Sequence, residues 1–164
     1  MKTRGKDKII PVSKLRQFAS KLSRSRKKVV FTNGVFDILH AGHADYLEKS
    51  AALGDVLVIG LNTDSSVKKN KGSKRPIIPY RHRARMLAAL ECVDFVVPLA
   101  AKTPQTLIEM IRPAVLVKGA DYKLTEIVGA DFVRQIGGKV VRMRLVPELS
   151  TSQIIKKIGA LKGK

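Results

Sequence analysis

Val29-Val30-Phe31-Thr32-Asn33-Gly34, continuing as Val35-Phe36-Asp37-Ile38-Leu39-His40-Ala41-Gly42-His43, decides how this chain is read. Val29 to Thr32 is a short apolar run and Asn33-Gly34 breaks it, the pattern of a buried strand feeding a turn. Two histidines then flank a glycine at the start of a helix. Such a junction suits an anion. Gly42 lets backbone approach a phosphate, the helix N-terminus directs free N–H groups at it, and both imidazoles can donate to its oxygens. The competing reading is a core histidine at position 40 and an N-terminal cap at position 43.

Outward from this stretch, apolar runs alternate with helical patterns. Val12 to Leu22 places Val12, Leu15, Phe18, Ala19 and Leu22 at helical spacing, with Ser13 as cap. After the first strand come a helix from Asp45 to Leu53 closed by Gly54, a strand from Asp55 to Leu61 and a helix from Arg81 to Leu90. A strand from Val93 to Val97 follows, then a helix from Pro104 to Ile111 capped by Thr103. Val115 to Val117 reads as a strand, Glu126 to Ile136 as a helix, Lys139 to Leu145 as the last strand and Ser152 to Leu161 as the closing helix. Strands apolar on both faces and alternating with helices predict a parallel sheet covered on two sides. The fold expected is a single, doubly wound, Rossmann-like α/β domain over residues 29–164, preceded by a basic extension, residues 1–28, that holds the short amphipathic helix. Such sheets bind ligands beyond the carboxyl ends of their strands.

The chain has 164 residues, and 32 Lys and Arg against 13 Asp and Glu give a net charge of +19. With 45% hydrophobic and 27% charged residues it is globular rather than disordered. One cysteine, Cys92, excludes a disulfide scaffold and a Cys-rich zinc site, and fits a reducing compartment. There is no apolar run of membrane-spanning length and no apolar signal core behind the basic N-terminus. The expectation is a soluble, cytoplasmic protein. Residues 1–28 hold eleven bases and one acid, Asp7, which favours anionic partners or a solvated basic surface. Aromatics are only 5%, without tryptophan, so the interleaving of rings and bases that marks single-strand nucleic-acid binding is missing.

Other polar residues gather where strands end. Lys68 to Arg75, KKNKGSKR, reads as a basic loop, with Lys68 and Lys71 able to clamp phosphates or simply to form a solvated charge run. Lys118-Gly119-Ala120-Asp121-Tyr122 follows a buried strand directly, so Gly119 can admit a ligand to backbone while Lys118 or Asp121 faces it; a simple turn is the alternative. Ser150-Thr151-Ser152 is an N-cap cluster. Arg83 either holds a phosphate or pairs with a carboxylate such as Asp37 or Asp94. Asp37 itself reads as an anchor of its turn, and Asp64 as a cap of the next helix. His82 reads as a surface residue and Cys92 as a buried small hydrophobe.

Gly34 to His43, GVFDILHAGH, resembles the signature of the nucleotidyltransferase superfamily that includes the cytidylyltransferases and phosphopantetheine adenylyltransferase. Class I aminoacyl-tRNA synthetases share its H-x-G-H element. Further segments, in order, are similar to one branch, the D-glycero-β-D-manno-heptose 1-phosphate adenylyltransferases: Arg75-Pro76-Ile77, Arg83 before MLAALECVDFVV, Thr103-Pro104 with Leu107-Ile108, Lys118 to Tyr122, and Ser150-Thr151-Ser152 before IIKKI. The resemblance runs from about Val29 to Ile158. It implies adenylyl transfer from ATP to heptose 1-phosphate, giving ADP-heptose for lipopolysaccharide or related glycans and releasing pyrophosphate. His40, His43 and Lys71 would be the catalytic groups. Asn33, Gly34, Val35, Phe36, Gly42, Lys68, Gly119, Asp121, Ser150, Thr151 and Ser152 would bind the nucleotide, and Arg83 and Lys118 the sugar phosphate. The resemblance implies Mg2+ held mainly by the ATP phosphates and no protein metal ligand; a homodimer is common in the family. Leu145 to Ser152 departs from the R-T-E-G-I-S-T-T signature of the cytidylyltransferases by lacking its arginine, which weakens a CTP reading. The alternatives are a cytidylyltransferase acting on glycerol 3-phosphate or a similar phosphorylated alcohol, and a basic RNA-binding module on the same fold. Against the second stand the absence of a K-M-S-K-S segment and the short chain.

Overall fold

A computed structural model of the protein describes residues 5–144 and 149–161. Five strands, β1 (Val29–Gly34), β2 (Val56–Asn62), β3 (Phe95–Leu99), β4 (Val115–Gly119) and β5 (Lys139–Met143), form one sheet in the order β3-β2-β1-β4-β5. All four pairings are parallel, with Phe31 opposite Val58 on one side and Leu116 on the other. Among the described residues the α-helices are α1 (Leu15–Arg24), α2 (Ala41–Ala51), α3 (Asp64–Lys71), α4 (Tyr80–Ala89), α5 (Gln105–Ile111), α6 (Ala130–Gln135) and α7 (Thr151–Ala160). This is the doubly wound α/β arrangement expected.

Alternation along each strand explains the two covers. Val29, Phe31, Val58 and Leu116 pack with Leu15 and Leu22 of α1, Ile108 and Ile111 of α5 and Val133 of α6. The intervening Val30, Leu57, Ile59 and Val117 pack with Leu47 of α2 and Leu87 and Ala88 of α4. Each fully buried side chain of this size contributes roughly 1.5–3 kcal/mol relative to exposure, so the central strands and their helices carry most of the stability. The chain winds outward from β1 to β3, then returns to place β4 on the other side of β1. The crevice between β1 and β4 is the point where ligands bind in such sheets.

Several local expectations are corrected. Val12 lies in a 3-10 turn, Val12–Lys14, and is exposed, while Ser13 caps nothing; α1 itself starts at Leu15. α2 starts four residues earlier than expected, at Ala41, and ends at Ala51. Gly54 is not a left-handed cap; a Cβ there would run into the Lys28 carbonyl, so close approach of two backbones is what demands glycine. Lys68 to Lys71 belong to the last turn of α3, and only from Gly72, with φ +89°, does the basic stretch become a loop. Pro104, not Thr103, stands at the cap position of α5. The expected helix from Glu126 splits into a 3-10 turn, Leu124–Glu126, and α6. The expected end of the last strand at Leu145, and residues 145–148 generally, lie outside the described residues.

The segment before β1 packs on the sheet. Ile9 bridges Val96, the Ile10 N–H donates to the Val96 carbonyl at 2.9 Å, and Lys8 Nζ donates to the carbonyls of Val93 and Leu90. The outer edge of β3 is thereby covered at Val96, which shortens the unpaired strand edge.

Candidate active site

Two cavities sharing a wall open at the carboxyl ends of β1 and β4. The smaller, about 250 Å3, is lined by Asn33 to Phe36, His40, Gly42, His43, Tyr46, Lys118, Gly119, Asp121, Tyr122 and Leu149 to Thr151. The larger, about 670 Å3, shares Asn33 to Phe36, His43, Lys118 and Asp121, and extends to Asn62, Asn70, Lys71, Arg75, Lys102, Thr103 and Ser152. Of the residues expected at the site, all but Lys68 and Arg83 line one cavity or both.

His40 stands immediately before α2 in extended conformation, and its carbonyl accepts from the N–H groups of His43 and Ala44. The two imidazoles stack, centroids 3.8 Å apart and planes inclined by 26°. Neither caps the helix with its side chain, so the cap expected as an alternative for His43 is not what the residue does. Both Nδ1 atoms are buried without a hydrogen-bond partner among the described residues, as is Asn33 Oδ1. Polar atoms held away from water with nothing to bond are uncommon, and a ligand that completes them accounts for their cost. Burial, followed by the neighbouring His40, lowers the His43 pKa to about 4; burial also lowers that of His40. Both rings are therefore neutral at pH 7, each with one N–H donor. Gly42 leaves the His40 ring its place, since a Cβ there would stand 3.1 Å from His40 Nδ1 and push the ring by a few tenths of an ångström.

The loop between β1 and α2 is held from below. Phe36 adopts φ +45°, a left-handed conformation costly for a bulky side chain, and its ring lies 5.2 Å from that of His43. Asp37, almost fully buried, accepts from Arg75 Nε at 2.6 Å and from the N–H groups of Ile77 and Ile78. Desolvation raises the Asp37 pKa, but the amides of Ile78 and Ile77 and the Arg75 guanidinium outweigh it and hold the pKa below the ordinary value. Asp37 is thus the structural anchor its sequence context suggested. Of the two roles left open for Arg83, a phosphate or a carboxylate, the structure shows a carboxylate pairing. Arg83 is 1% exposed and spends its guanidinium on the carbonyls of Val35 and Ile78 and on Asp64. The carboxylate it pairs with is Asp64, neither Asp37 nor Asp94. Asp64 in turn accepts from the Tyr80 N–H, while Thr63 is the residue that caps α3.

Opposite the histidines, the N-terminus of α7 faces the same space. Ser150 caps it by accepting from the Gln153 N–H, and Thr151 Oγ1 donates to the Ile38 carbonyl across the cleft. Two helix N-termini converging on one cavity favour an anion there. Lys118 is 9% exposed, with Nζ 3.5 Å from the Asn33 carbonyl and 5.4 Å from the Tyr122 ring centre. Burial lowers its pKa to about 8, against the opposing pull of Asp121. Lys71 lines the larger cavity, whereas Lys68, three residues back on α3, does not. Sequence reading missed Tyr46, whose hydroxyl is 2.7 Å from Thr32 Oγ1; its spacing of three from His43 on α2 was the available signal. It also missed Asn62 and Lys102, which only the sheet topology brings to the cleft. Among the described residues no group of three or more His, Cys, Asp or Glu could hold a metal ion, and no helix is long and apolar enough to cross a membrane.

The chain is 53% identical over 132 residues to the bifunctional protein HldE of Geobacter sulfurreducens, a match covering 80% of this chain and 27% of that protein. It is 49% identical over 156 residues to the bifunctional protein HldE of Magnetococcus marinus, covering 95% and 32% respectively. The chain thus spans about a third of the length of the curated relatives it matches. The crystal structure of a lipopolysaccharide core biosynthesis protein from Thermoplasma volcanium superposes with TM-score 0.59 at 29% identity, covering 73% of this chain and 97% of that one. A pantoate-beta-alanine ligase from Francisella tularensis, at 16% identity and TM-score 0.61 over 95% of this chain and 80% of its own, shares the fold. Residues 31–157, from β1 through most of α7, match the cytidylyltransferase-like family, and the chain is a member of it.

Proposed function

We propose that this chain transfers the adenylyl group of ATP to D-glycero-β-D-manno-heptose 1-phosphate, forming ADP-heptose and pyrophosphate. The observation that carries the transfer chemistry is the stacked pair His40 and His43, each with a buried, unpartnered Nδ1, in a cleft where two helix N-termini meet. The choice of adenylyl group and sugar draws support from the branch motifs and from the HldE relatives at about half identity. The Thermoplasma protein's place in lipopolysaccharide core biosynthesis points the same way.

An ionised oxygen of the acceptor phosphate attacks the α-phosphorus, the bond from that phosphorus to the oxygen leading to the β-phosphorus breaks, and pyrophosphate leaves. The attacking oxygen needs no general base, so the protein's task is alignment and charge stabilisation. The imidazoles donate to phosphate oxygens. As negative charge arrives beside them their pKa values rise, so they can take up a proton where the charge develops. Lys71 and Lys118 add positive charge from the walls. Magnesium would be carried by ATP oxygens and water, where it would offset phosphate charge; among the described residues no group of three or more His, Cys, Asp or Glu stands ready to hold it. Pyrophosphate release with magnesium, ATP or CTP, and a panel of sugar 1-phosphates plus glycerol 3-phosphate tests the reading. Turnover with ATP and the heptose 1-phosphate is expected. Turnover with CTP alone overturns the adenylyl assignment.

A further inference from the structure

Beyond the histidines the larger cavity reaches the carboxyl ends of β2 and β3, where a buried chain of polar contacts has no part in the chemistry above. Asn62, the last residue of β2, lines the cavity and is 7% exposed. Its Nδ2 donates to Ser66 Oγ at 2.9 Å, and Ser66, 1% exposed, donates to the Ala101 carbonyl at 3.1 Å. With one Nδ2 hydrogen engaged, Asn62 Oδ1 and the second Nδ2 hydrogen are left for an occupant, and the amide oxygen accepts from a hydroxyl. The same contacts tie α3 to the turn after β3, which carries Lys102 into the cavity with Lys71 and Arg75. Of the cavity's carboxylates, Asp37 is committed to Arg75 and two amides, Glu126 accepts from the Lys123 N–H, and Asp121 lies on the wall shared with the smaller cavity, beside Lys118. A phosphorylated polyol has both halves of this chemistry, an anion for the cations and hydroxyls for the amide.

We infer that this lobe is the acceptor subsite, in which Lys102, Arg75 and Lys71 hold the acceptor's phosphate and Asn62 Oδ1 accepts from one of its hydroxyls. Asn62 is then a specificity-determining residue, and Ser66 a positioning residue that sets its amide. The inference rests on the adenylyl-transfer reading.

Steady-state kinetics of the full chain, varying heptose 1-phosphate and ATP separately, tests it. Lys102→Ala, an exposed position, and Asn62→Ala should each raise KM for the sugar phosphate by about tenfold or more while KM for ATP stays put. Ser66→Ala should reproduce part of the Asn62→Ala effect with Asn62 still present. Should Asn62→Ala fail to fold, Lys102→Ala and Ser66→Ala carry the decision. Unchanged acceptor KM in folded variants, or KM for ATP rising in step, overturns the subsite and leaves adenylyl transfer standing. A wild-type protein silent with every sugar 1-phosphate overturns both.

Discussion

The His40 and His43 rings stack 3.8 Å apart with both Nδ1 atoms buried and without a partner among the described residues, and burial lowers both pKa values, with His40 adding to the effect on His43. On the proposed function, both rings are neutral in the free protein and gain a proton when the nucleotide's phosphates arrive. Proton uptake should therefore accompany ATP binding near pH 6, seen as a binding enthalpy that changes with the ionisation enthalpy of the buffer. His43→Ala should abolish most of that dependence and lower kcat by a hundredfold or more, about 3 kcal/mol of lost transition-state stabilisation, with the fold intact by circular dichroism. Buffer-independent enthalpy in the wild type would remove the charge role from the pair.

The same depression has a consequence for stability. The His43 pKa is about 4 in the folded protein against 6.5 for a free histidine. Between these values the unfolded chain binds the extra proton and the folded one does not. Stability is thus complete above pH 6.5 and falls as pH drops towards 4. Melting temperatures across this window should fall less steeply for His43→Gln than for the wild type; parallel curves would contradict the burial of a neutral ring.

Gly42 separates packing from chemistry. Alanine is favoured over glycine in a helix by about 0.5–1 kcal/mol, yet its Cβ would press 3.1 Å from His40 Nδ1 and 3.2 Å from Cε1. The His40 ring must shift by a few tenths of an ångström. Gly42→Ala should keep or slightly raise the melting temperature while kcat falls about tenfold or more, because misplacement of reacting groups on this scale is expensive. A variant with full activity would mean that the stacked geometry is not the catalytic one.

How much of this was legible in the sequence depends on how local the cause is. β1 and β2 were readable because both faces of each are apolar, and the histidine pair because its residues lie three apart beside a glycine. The helical end of the basic run was not. Lys68, Lys69 and Lys71 carry no apolar rhythm, and what makes the segment a helix is the Thr63 cap and the burial of Ser66 and Val67. Arg83 stayed open between a phosphate and a carboxylate for a related reason. An arginine in a helix reads as available to a ligand, and the groups that consume it, Val35 and Asp64, are 48 and 19 residues away in the chain. Asn62 and Lys102 gave no signal, because sheet order alone makes them neighbours of the site.

Arg83 tests that distinction directly. Replacing it by methionine fills similar space but leaves two carbonyls without their donor and Asp64 without its partner. The cost should be about 3 kcal/mol, or a fall in melting temperature of roughly 6–12 °C for a chain of this size. Asp64→Asn, at a half-exposed position, should cost much less. Near-native stability in Arg83→Met together with a raised KM for the sugar phosphate would restore the substrate role expected from sequence.

Lys118 governs the alkaline side. Burial brings its pKa to about 8 from 10.5, so the ammonium is lost as pH rises through 8. In kcat/KM this should appear as a fall above pH 8. Lys118→Met should be weak and flat across the same range, because no titrating cation remains. The stability sign is opposite. The unfolded chain keeps that proton up to about 10.5, so the lysine's contribution to folding improves from pH 8 to 10.5 as the folded protein sheds a desolvated charge. Activity and stability should therefore diverge above pH 8, and a variant at position 118 that kept the alkaline fall in kcat/KM would assign that limb to another group.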